Sequence, residues 1–243
     1  MSQTNFEQTW RKRFERFAAF ENDAKIAGWS EHSLQTRVSV FKQNWTRKEA
    51  GLQWIDVGCG AGTYTQVLLE QEQQVVALDY SQPTIKKAKN KVSVGASFGA
   101  ADVRHLPFQP ETIYGVLCFG VLQALEQPIQ AINEIDRVLQ PGGELWVDAL
   151  NRGSLRFCFE WLKHKITGQP YRLTFVSASK LRQYLKNKSY QDIRIIWMPI
   201  LPEKYHMLQN KLFSYIQRFD GKLNFLWMLV SHAYVIKAKK SEG

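Results

Sequence analysis

The chain has 243 residues, of which 44% are hydrophobic and 22% charged, a composition typical of a globular protein with a substantial core. Its net charge of +10 favours acidic partners such as nucleic acid, anionic lipid headgroups or an acidic substrate. The three cysteines are widely separated and no histidine cluster accompanies them, so the sequence predicts no disulfide framework and no metal site, and it favours a reducing, cytoplasmic compartment.

The first fifty residues predict two helices. Between positions 4 and 22 aromatic residues recur every three or four positions, with basic residues between them: Phe6, Trp10, Phe14, Phe17 and Phe20. This spacing predicts an amphipathic helix, whose aromatic face either packs against the core or inserts into a membrane surface. A second helix is predicted over residues 30–47, with Ser30 as its N-cap. Residues 1–48 would together form a helical cap.

A glycine-rich turn follows the first predicted strand, residues 54–57. Gly58, Gly60 and Gly62 permit positive φ and let a ligand approach without meeting a Cβ. The turn leads into a helix, whose N-terminal N–H groups face outward. Thr63 occupies the position where a dinucleotide fingerprint requires glycine or alanine, and no Gly-Lys-Ser/Thr follows, so a phosphate loop is excluded. Taken alone, the turn could also be a purely structural connection.

Strands and helices then alternate, which predicts a parallel α/β sheet. Further strands are predicted at residues 75–79, 95–102, 113–119, 144–150, 193–198 and 227–237. One helix is predicted to end at residues 141–143 and another to span residues 177–188. No apolar stretch is long enough to span a bilayer, and the charged N-terminus predicts no secretory signal.

Two acids stand at the ends of predicted strands, where ligands of parallel sheets bind. Asp79 is placed to accept hydrogen bonds from two ribose hydroxyls, and it could also serve the helix that Ser81 caps. Asp102 could accept a hydrogen bond from an adenine amino group, with Val103 packed on the ring.

Four motifs occur in the order and spacing of the class I S-adenosylmethionine (AdoMet) methyltransferases: residues 56–62 (DVGCGAG), 78–81 (LDYS), 101–108 (ADVRHLPF) and 134–143 (EIDRVLQPGG). Over residues 50–150 the chain most resembles the branch that contains quinone-type and other small-molecule methyltransferases. The resemblance implies a three-layer, Rossmann-like sheet of seven strands in the order 3-2-1-4-5-7-6, with strand 7 antiparallel. It also implies AdoMet as cofactor and S-adenosyl-L-homocysteine as product.

The resemblance implies ten cofactor-binding residues: Asp56, Gly58, Gly60, Gly62, Asp79, Tyr80, Asp102, Val103, Phe119 and Gly120. The first four, with Phe119 and Gly120, would lie at the methionine end. Asp79 would bind ribose, and the remaining three would surround adenine.

The chain is predicted to be a single domain, residues 1–243, with the cap at 1–48 and the AdoMet-binding core at 50–150. Aromatic-rich insertions at residues 151–176 and 199–227 would form an acceptor-side lid. A general base is needed only where the acceptor must lose a proton, and the candidates are His32, His105, His206 and Tyr171. For each of these residues a catalytic role is no better supported than a structural one. Where relatives often carry histidine after strand 4, this chain has Gln123 and Ala124, so that role cannot be carried over.

The sequence therefore predicts an AdoMet-dependent methyltransferase that moves a methyl group by in-line displacement to a small-molecule or lipid-like acceptor. An acidic acceptor and peripheral membrane contact are compatible with the basic surface. An RNA methyltransferase is the alternative, favoured by charge but disfavoured because no Asn-Pro-Pro-Tyr follows strand 4 and no Pro-Cys pair occurs. A non-catalytic AdoMet-binding partner protein and an NAD-dependent oxidoreductase are further alternatives.

Overall fold

The computed structural model describes residues 5–17, 20, 22–26, 28–46, 48–92, 94–169, 173–199 and 224–242. The helices are α1 (Asn5–Phe17), α2 (Asp23–Ile26), α3 (Glu31–Asn44), α4 (Thr63–Glu70), α5 (Gln82–Lys91), α6 (Pro128–Val138), α7 (Leu155–Thr167), α8 (Ala178–Asn187) and α9 (Asn224–Val230). The strands are β1 (Gln53–Val57), β2 (Gln74–Asp79), β3 (Ala96–Ala100), β4 (Ile113–Cys118), β5 (Leu139–Asn151), β6 (Phe175–Val176), β7 (Tyr190–Met198) and β8 (Ala233–Lys240).

The strands form one mixed sheet in the order β3-β2-β1-β4-β5-β8-β7. Strand β8 runs antiparallel to both β5 and β7, whereas the pairs from β3 to β5 are parallel. The predicted fold class and strand order are confirmed, with one addition. The two-residue strand β6 pairs with β5, so the predicted strands 6 and 7 are β7 and β8 here.

Helices cover both faces of the sheet because side chains alternate along each strand. Ile55 and Val57 of β1 belong to one apolar cluster, which includes residues of α6 and α8. Their neighbour Trp54 belongs to a second cluster, with residues of α3 and α4. Both faces of β1 are therefore buried, as its apolar sequence predicts.

Two helix starts have their predicted caps, Ser30 and Ser81, and Ser177 caps a third helix. The hydroxyls of Ser30, Ser81 and Ser177 each accept a hydrogen bond from the backbone N–H three residues later, at the starts of α3, α5 and α8. Such bonds satisfy N–H groups that the first helical turn leaves unpaired.

Several boundaries differ from the prediction. Residues 227–237 were expected to form a strand, but α9 occupies their first part and β8 starts only at Ala233. The apolar run of α9 is too short for periodicity to separate a helix from a buried strand. Helix α6 ends at Val138, so residues 141–143 lie within β5 and do not end the helix. Helix α1 ends at Phe17, short of residue 22.

The aromatic face of α1 packs inward. Trp10 is only 8% exposed, and its ring centroid lies 5.3 Å from that of Phe14. Of the two roles considered for this face, the structure shows packing against the protein. Within the described ranges, no helix is both long and apolar enough to cross a membrane.

A buried ion pair joins the N-terminal helices to the sheet. Arg37 of α3 donates from Nε to Oδ2 of Asp148 on β5 at 3.0 Å, and the two side chains are 2% and 4% exposed. The guanidinium also donates to the backbone oxygen and the hydroxyl of Ser33, and its central carbon lies 4.1 Å from the ring centroid of Trp29. A paired buried charge becomes costly when its partner is removed.

We expect Arg37→Met to lower the free energy of unfolding by about 3–5 kcal/mol, because it leaves Asp148 as an unpaired buried charge. The matched control is Lys42→Met, since Lys42 and its partner Glu70 are 48% and 46% exposed. That change should cost less than about 1 kcal/mol. Urea titration of both variants provides the measurement, and equal losses would contradict the structural role of the buried pair.

Candidate functional site

The glycine turn opens a space beside β1. Gly58, Gly60 and Gly62 all have positive φ, of 75°, 54° and 82°. The backbone N–H groups of Gly58 and Cys59 donate to the Leu78 carbonyl of β2 at 2.7 and 2.9 Å, which fixes the turn against the neighbouring strand. A Cβ added to Gly60 would meet no atom within 4 Å. The space next to Gly60 is therefore open for a ligand.

The carboxylate of Asp79 faces this turn from the end of β2. Its Oδ2 accepts a hydrogen bond from the Gly60 N–H at 3.0 Å and its Oδ1 accepts one from the Ser81 N–H at 2.8 Å. Each carboxylate oxygen can accept a second bond. Burial raises the pKa of Asp79, although both backbone N–H bonds oppose this shift. The group is thus oriented by the backbone and keeps acceptor capacity for two hydroxyls.

A second turn, after β4, packs against the first. A Cβ on Gly58 would lie 2.3 Å from the side chain of Val121, and one on Gly120 would lie 2.7 Å from the Trp29 ring. The Gly120 N–H donates to Oδ1 of Asp148 at 2.6 Å. The buried ion pair of Arg37 and Asp148 therefore also holds the backbone of this turn.

Between the two turns lies a cavity that includes about 920 Å³ of space, its open mouth included. Eight of the ten predicted cofactor residues line it: Gly58, Gly60, Asp79, Tyr80, Asp102, Val103, Phe119 and Gly120. The N-terminal helices and the segment after them add Glu7, Trp10, Phe14, Ile26 and Trp29. The structure brings the motif residues together, and their individual contacts with a cofactor stay predictions.

Asp56 and Gly62 are not among the residues that line the cavity. Asp56 is 2% exposed, and its Oδ2 accepts a hydrogen bond from the Thr65 hydroxyl at 2.6 Å. Burial raises its pKa to about 7, with the Thr65 bond opposing the shift and the charge of Asp79 adding to it. Gly62 starts α4, and a Cβ there would lie 3.0 Å from Val92. Its position favours close packing of the turn on α5.

Asp102 has a hydrogen-bonding partner, Arg104, that the sequence did not predict. Its Oδ1 accepts from the backbone N–H and Nε of Arg104, both at 3.0 Å, and its Oδ2 accepts from Nη2 at 2.6 Å. Arg104 also donates to Glu7 of α1 at 2.8 Å. Burial raises the pKa of Asp102, but the bonds from Arg104 outweigh it and the pKa lies below its ordinary value. An adenine amino group would have to share Asp102 with Arg104.

Neither of the two candidates for a general base that the structure describes lines the cavity. His32 lies half-buried on α3 and His105 is exposed, and neither is a lining residue. His206 and Tyr171 lie outside the described residues. Across the described part of the chain, no group of His, Cys, Asp and Glu side chains has an arrangement that could hold a metal ion.

The sequence did not indicate that some of these residues line the cavity. Trp29 contacts the Gly120 turn although the two residues are far apart in the chain, and Glu7 reaches Arg104 across a similar separation. The inward-facing residues of α1 were visible only as an amphipathic pattern, which does not indicate what the face packs against.

The sheet order, the turn after β1 and the acid at the end of β2 agree with the Rossmann-like fold that the resemblance to class I AdoMet-dependent methyltransferases implies. Residues 55–147 match the family model described as a methyltransferase domain. The resemblance drawn from the four motifs is thereby confirmed, and AdoMet is the cofactor of this class.

Curated relatives of different substrate classes resemble the chain. It is 31% identical to a malonyl-[acyl-carrier protein] O-methyltransferase of Hamiltonella defensa, over 54% of this chain and 50% of that protein. It is 30% identical to the probable tRNA methyltransferase 9B of Mus musculus, over 59% and 30%. It is 26% identical to a ubiquinone biosynthesis O-methyltransferase of Xanthomonas campestris, over 77% and 82%. The chain thus covers half or less of the first two proteins.

Solved structures share the fold at low identity. Phosphoethanolamine N-methyltransferase 2 of Haemonchus contortus, in complex with AdoMet, has a TM-score of 0.66 at 16% identity, covering 99% of this chain and 61% of that one. A structure of the Haloferax volcanii Trm112 activator with a methyltransferase has a TM-score of 0.65 at 16% identity, covering 94% of this chain and 97% of that one.

The pKa of Asp56 predicts a pH dependence of stability in the ligand-free protein. Between about pH 4 and pH 7 the unfolded carboxyl is ionised while the folded one keeps its proton, so the free energy of unfolding falls as pH rises. Relative to Asp56→Asn, the wild type should lose on the order of 4 kcal/mol across this window. Urea titrations at pH 4, 5.5 and 8 measure the difference.

The control for this experiment is Asp192→Asn, which changes an exposed aspartate on β7. Its stability should follow that of the wild type at each pH. Parallel profiles for the wild type and Asp56→Asn would show that burial does not raise the pKa of Asp56.

Proposed function

We propose that this protein is an AdoMet-dependent methyltransferase that acts on a small-molecule or lipid-like acceptor. The observation that carries the proposal is the cavity in which the Gly60 turn, the Asp79 carboxylate and the Gly120 turn converge. The match to a methyltransferase domain over residues 55–147 supports the same activity.

The residues present fit the cofactor. Asp79 would accept hydrogen bonds from the two ribose hydroxyls, because each of its oxygens has one bond to backbone N–H and capacity for another. The open side of Gly60 gives room that any side chain would fill. Tyr80 and Val103 would pack on adenine. Asp56, which does not line the cavity, would support the methionine end only indirectly, through the packing of the turn. When bound, AdoMet supplies a methyl group on a positively charged sulfur, already activated for transfer.

The protein's contribution is then alignment and exclusion of water. Trp10, Phe14 and Trp29 line the cavity from the N-terminal part of the chain, where they would shield the reacting groups from solvent. The Gly120 backbone, held by Asp148, would define the wall nearest the transferred methyl group. The base, where the acceptor requires one, stays unassigned among His32, His105, His206 and Tyr171.

An apolar acceptor is favoured by the apolar part of the lining, which includes Val121, Ala124, Leu125, Ile26 and Trp29. The names of the malonyl-[acyl-carrier protein] and ubiquinone relatives support a small-molecule acceptor. We also place the protein in the cytoplasm, because Cys59, Cys118 and Cys158 are all free thiols.

RNA is the second candidate acceptor, since one relative is a probable tRNA methyltransferase and the net charge is +10. Incubation of a cell extract with the protein and methyl-labelled AdoMet separates the two. We expect label in the solvent-extractable fraction, resistant to ribonuclease. Label that ribonuclease releases would select RNA. Tight AdoMet binding with no labelled product would select a non-catalytic partner protein.

Asp79→Ala should lower the affinity for AdoMet roughly 10- to 100-fold, because it removes charged acceptors of two hydrogen bonds. Calorimetric titration of the purified protein measures this. Glu70→Ala, which removes a carboxylate 46% exposed at the far end of α4, is the control and should bind as the wild type does. Unchanged affinity in Asp79→Ala would contradict the site assignment.

A further inference from the structure

Helix α7 presents an apolar surface to solvent. None of its thirteen described residues is buried. Four large apolar side chains on it are between 50% and 76% exposed: Leu155, Phe159, Leu162 and Ile166. On α9, which contacts α7, Phe225 and Leu226 are 71% and 47% exposed. We call these six residues the apolar ridge.

The ridge is continuous along the helix. The four α7 residues follow the spacing i, i+4, i+7, i+11, which places them within an arc of roughly 60° on one helix face. Single exposed apolar residues are ordinary on protein surfaces. A row of them over three turns, extended by a second helix, instead indicates a surface that binds something apolar.

Basic side chains border the ridge on both sides. By helical position Arg156 and Lys163 flank it on one side and Lys165 on the other, and all three are exposed. The Nζ atom of Lys165 lies 5.9 Å from the ring centroid of Trp161, which is itself 46% exposed. Long basic side chains can keep their charge at the headgroup level while their stems cover apolar surface. The only acid of the helix, Glu160, lies 3.7 Å from Arg156.

We propose that the apolar ridge docks α7 in the plane of an anionic lipid bilayer, with its apolar side chains in the interface and its basic borders against acidic headgroups. An apolar face bordered by Lys and Arg is the pattern of helices that lie in a membrane surface. The basic borders, together with the net charge of +10 on each copy of the chain, favour an anionic lipid surface over a second copy.

The ridge lies at the same end of the sheet as the cavity. Strand β5 carries Asp148, which holds the Gly120 turn, and α7 begins four residues after β5 ends. Docking through α7 would therefore bring the carboxyl edge of the sheet towards the bilayer. The proposal concerns a surface outside the cavity, so it does not depend on whether the protein transfers methyl groups.

The test is co-sedimentation of the full chain with vesicles of phosphatidylcholine, with and without phosphatidylglycerol. We expect the wild type to bind the anionic vesicles. The double variant Phe159→Gln/Leu162→Gln should lower the partition coefficient on the order of tenfold or more, since it removes two side chains from the interface. Lys163→Gln/Lys165→Gln should remove most of the preference for anionic vesicles. The single variant Ile166→Gln should weaken binding less than the double variant.

The matched control is Val94→Gln, which makes the same kind of change at a residue that is 84% exposed beside the edge strand β3. It should bind vesicles as the wild type does. AdoMet titration and thermal unfolding of every variant establish that the fold and the cofactor site are intact, which separates failure here from failure of the proposed activity.

Three results would overturn the proposal. The first is a wild type that binds neither kind of vesicle. The second is a ridge double variant that binds as tightly as Val94→Gln. The third is self-association of the wild type, seen by analytical ultracentrifugation without lipid, that the ridge variants abolish, because the ridge would then be an interface between copies of the chain.

Discussion

The geometry of the cavity depends on one buried ion pair. The two oxygens of Asp148 have separate partners: Oδ2 accepts from Arg37 at 3.0 Å and Oδ1 from the Gly120 backbone at 2.6 Å. Arg37 in turn lies against Trp29, whose ring packs on Gly120. Burying two charges costs free energy unless hydrogen bonds satisfy both. Here those bonds connect a helix of the N-terminal region, a strand of the sheet and a turn of the cavity, so helix α3 and the wall of the cavity form one unit.

The glycines of the site serve two different structural purposes. At Gly58 and Gly120 a side chain would collide with protein, with Val121 in one case and Trp29 in the other, so their absence of a Cβ lets two turns and a cap pack together. At Gly60 a Cβ would meet nothing, and the empty space borders the Asp79 carboxylate. Motif spacing alone cannot separate these roles, because both appear as glycine at alternate positions.

The sheet and most of the cavity could be predicted from the sequence because their determinants are local. Strand β2 is a largely apolar run that ends at Asp79, and β1 and β4 lead into glycine-containing turns. Eight of the ten predicted cofactor-binding residues line one cavity. What could not be predicted depends on distant contacts. The short apolar run at residues 227–230 is compatible with either a strand or a helix. In the fold it is helical, where it lies beside α7 and before β8. Arg104 donates hydrogen bonds to both Asp102 and Glu7, and Glu7 lies 97 positions away from Arg104 in the chain.

Strand β5 connects the cofactor site to the exposed ridge. Asp148 near its end fixes the Gly120 turn, and Asn151, its last residue, donates from its side-chain amide to the backbone oxygens of Met228 and Ser231 at 2.7 and 2.9 Å. The same strand therefore holds the wall of the cavity and the segment that carries α9. The apolar ridge is thus connected to the cavity by a short, hydrogen-bonded path, so an acceptor in a bilayer interface would lie on the side of the sheet where we propose that AdoMet binds.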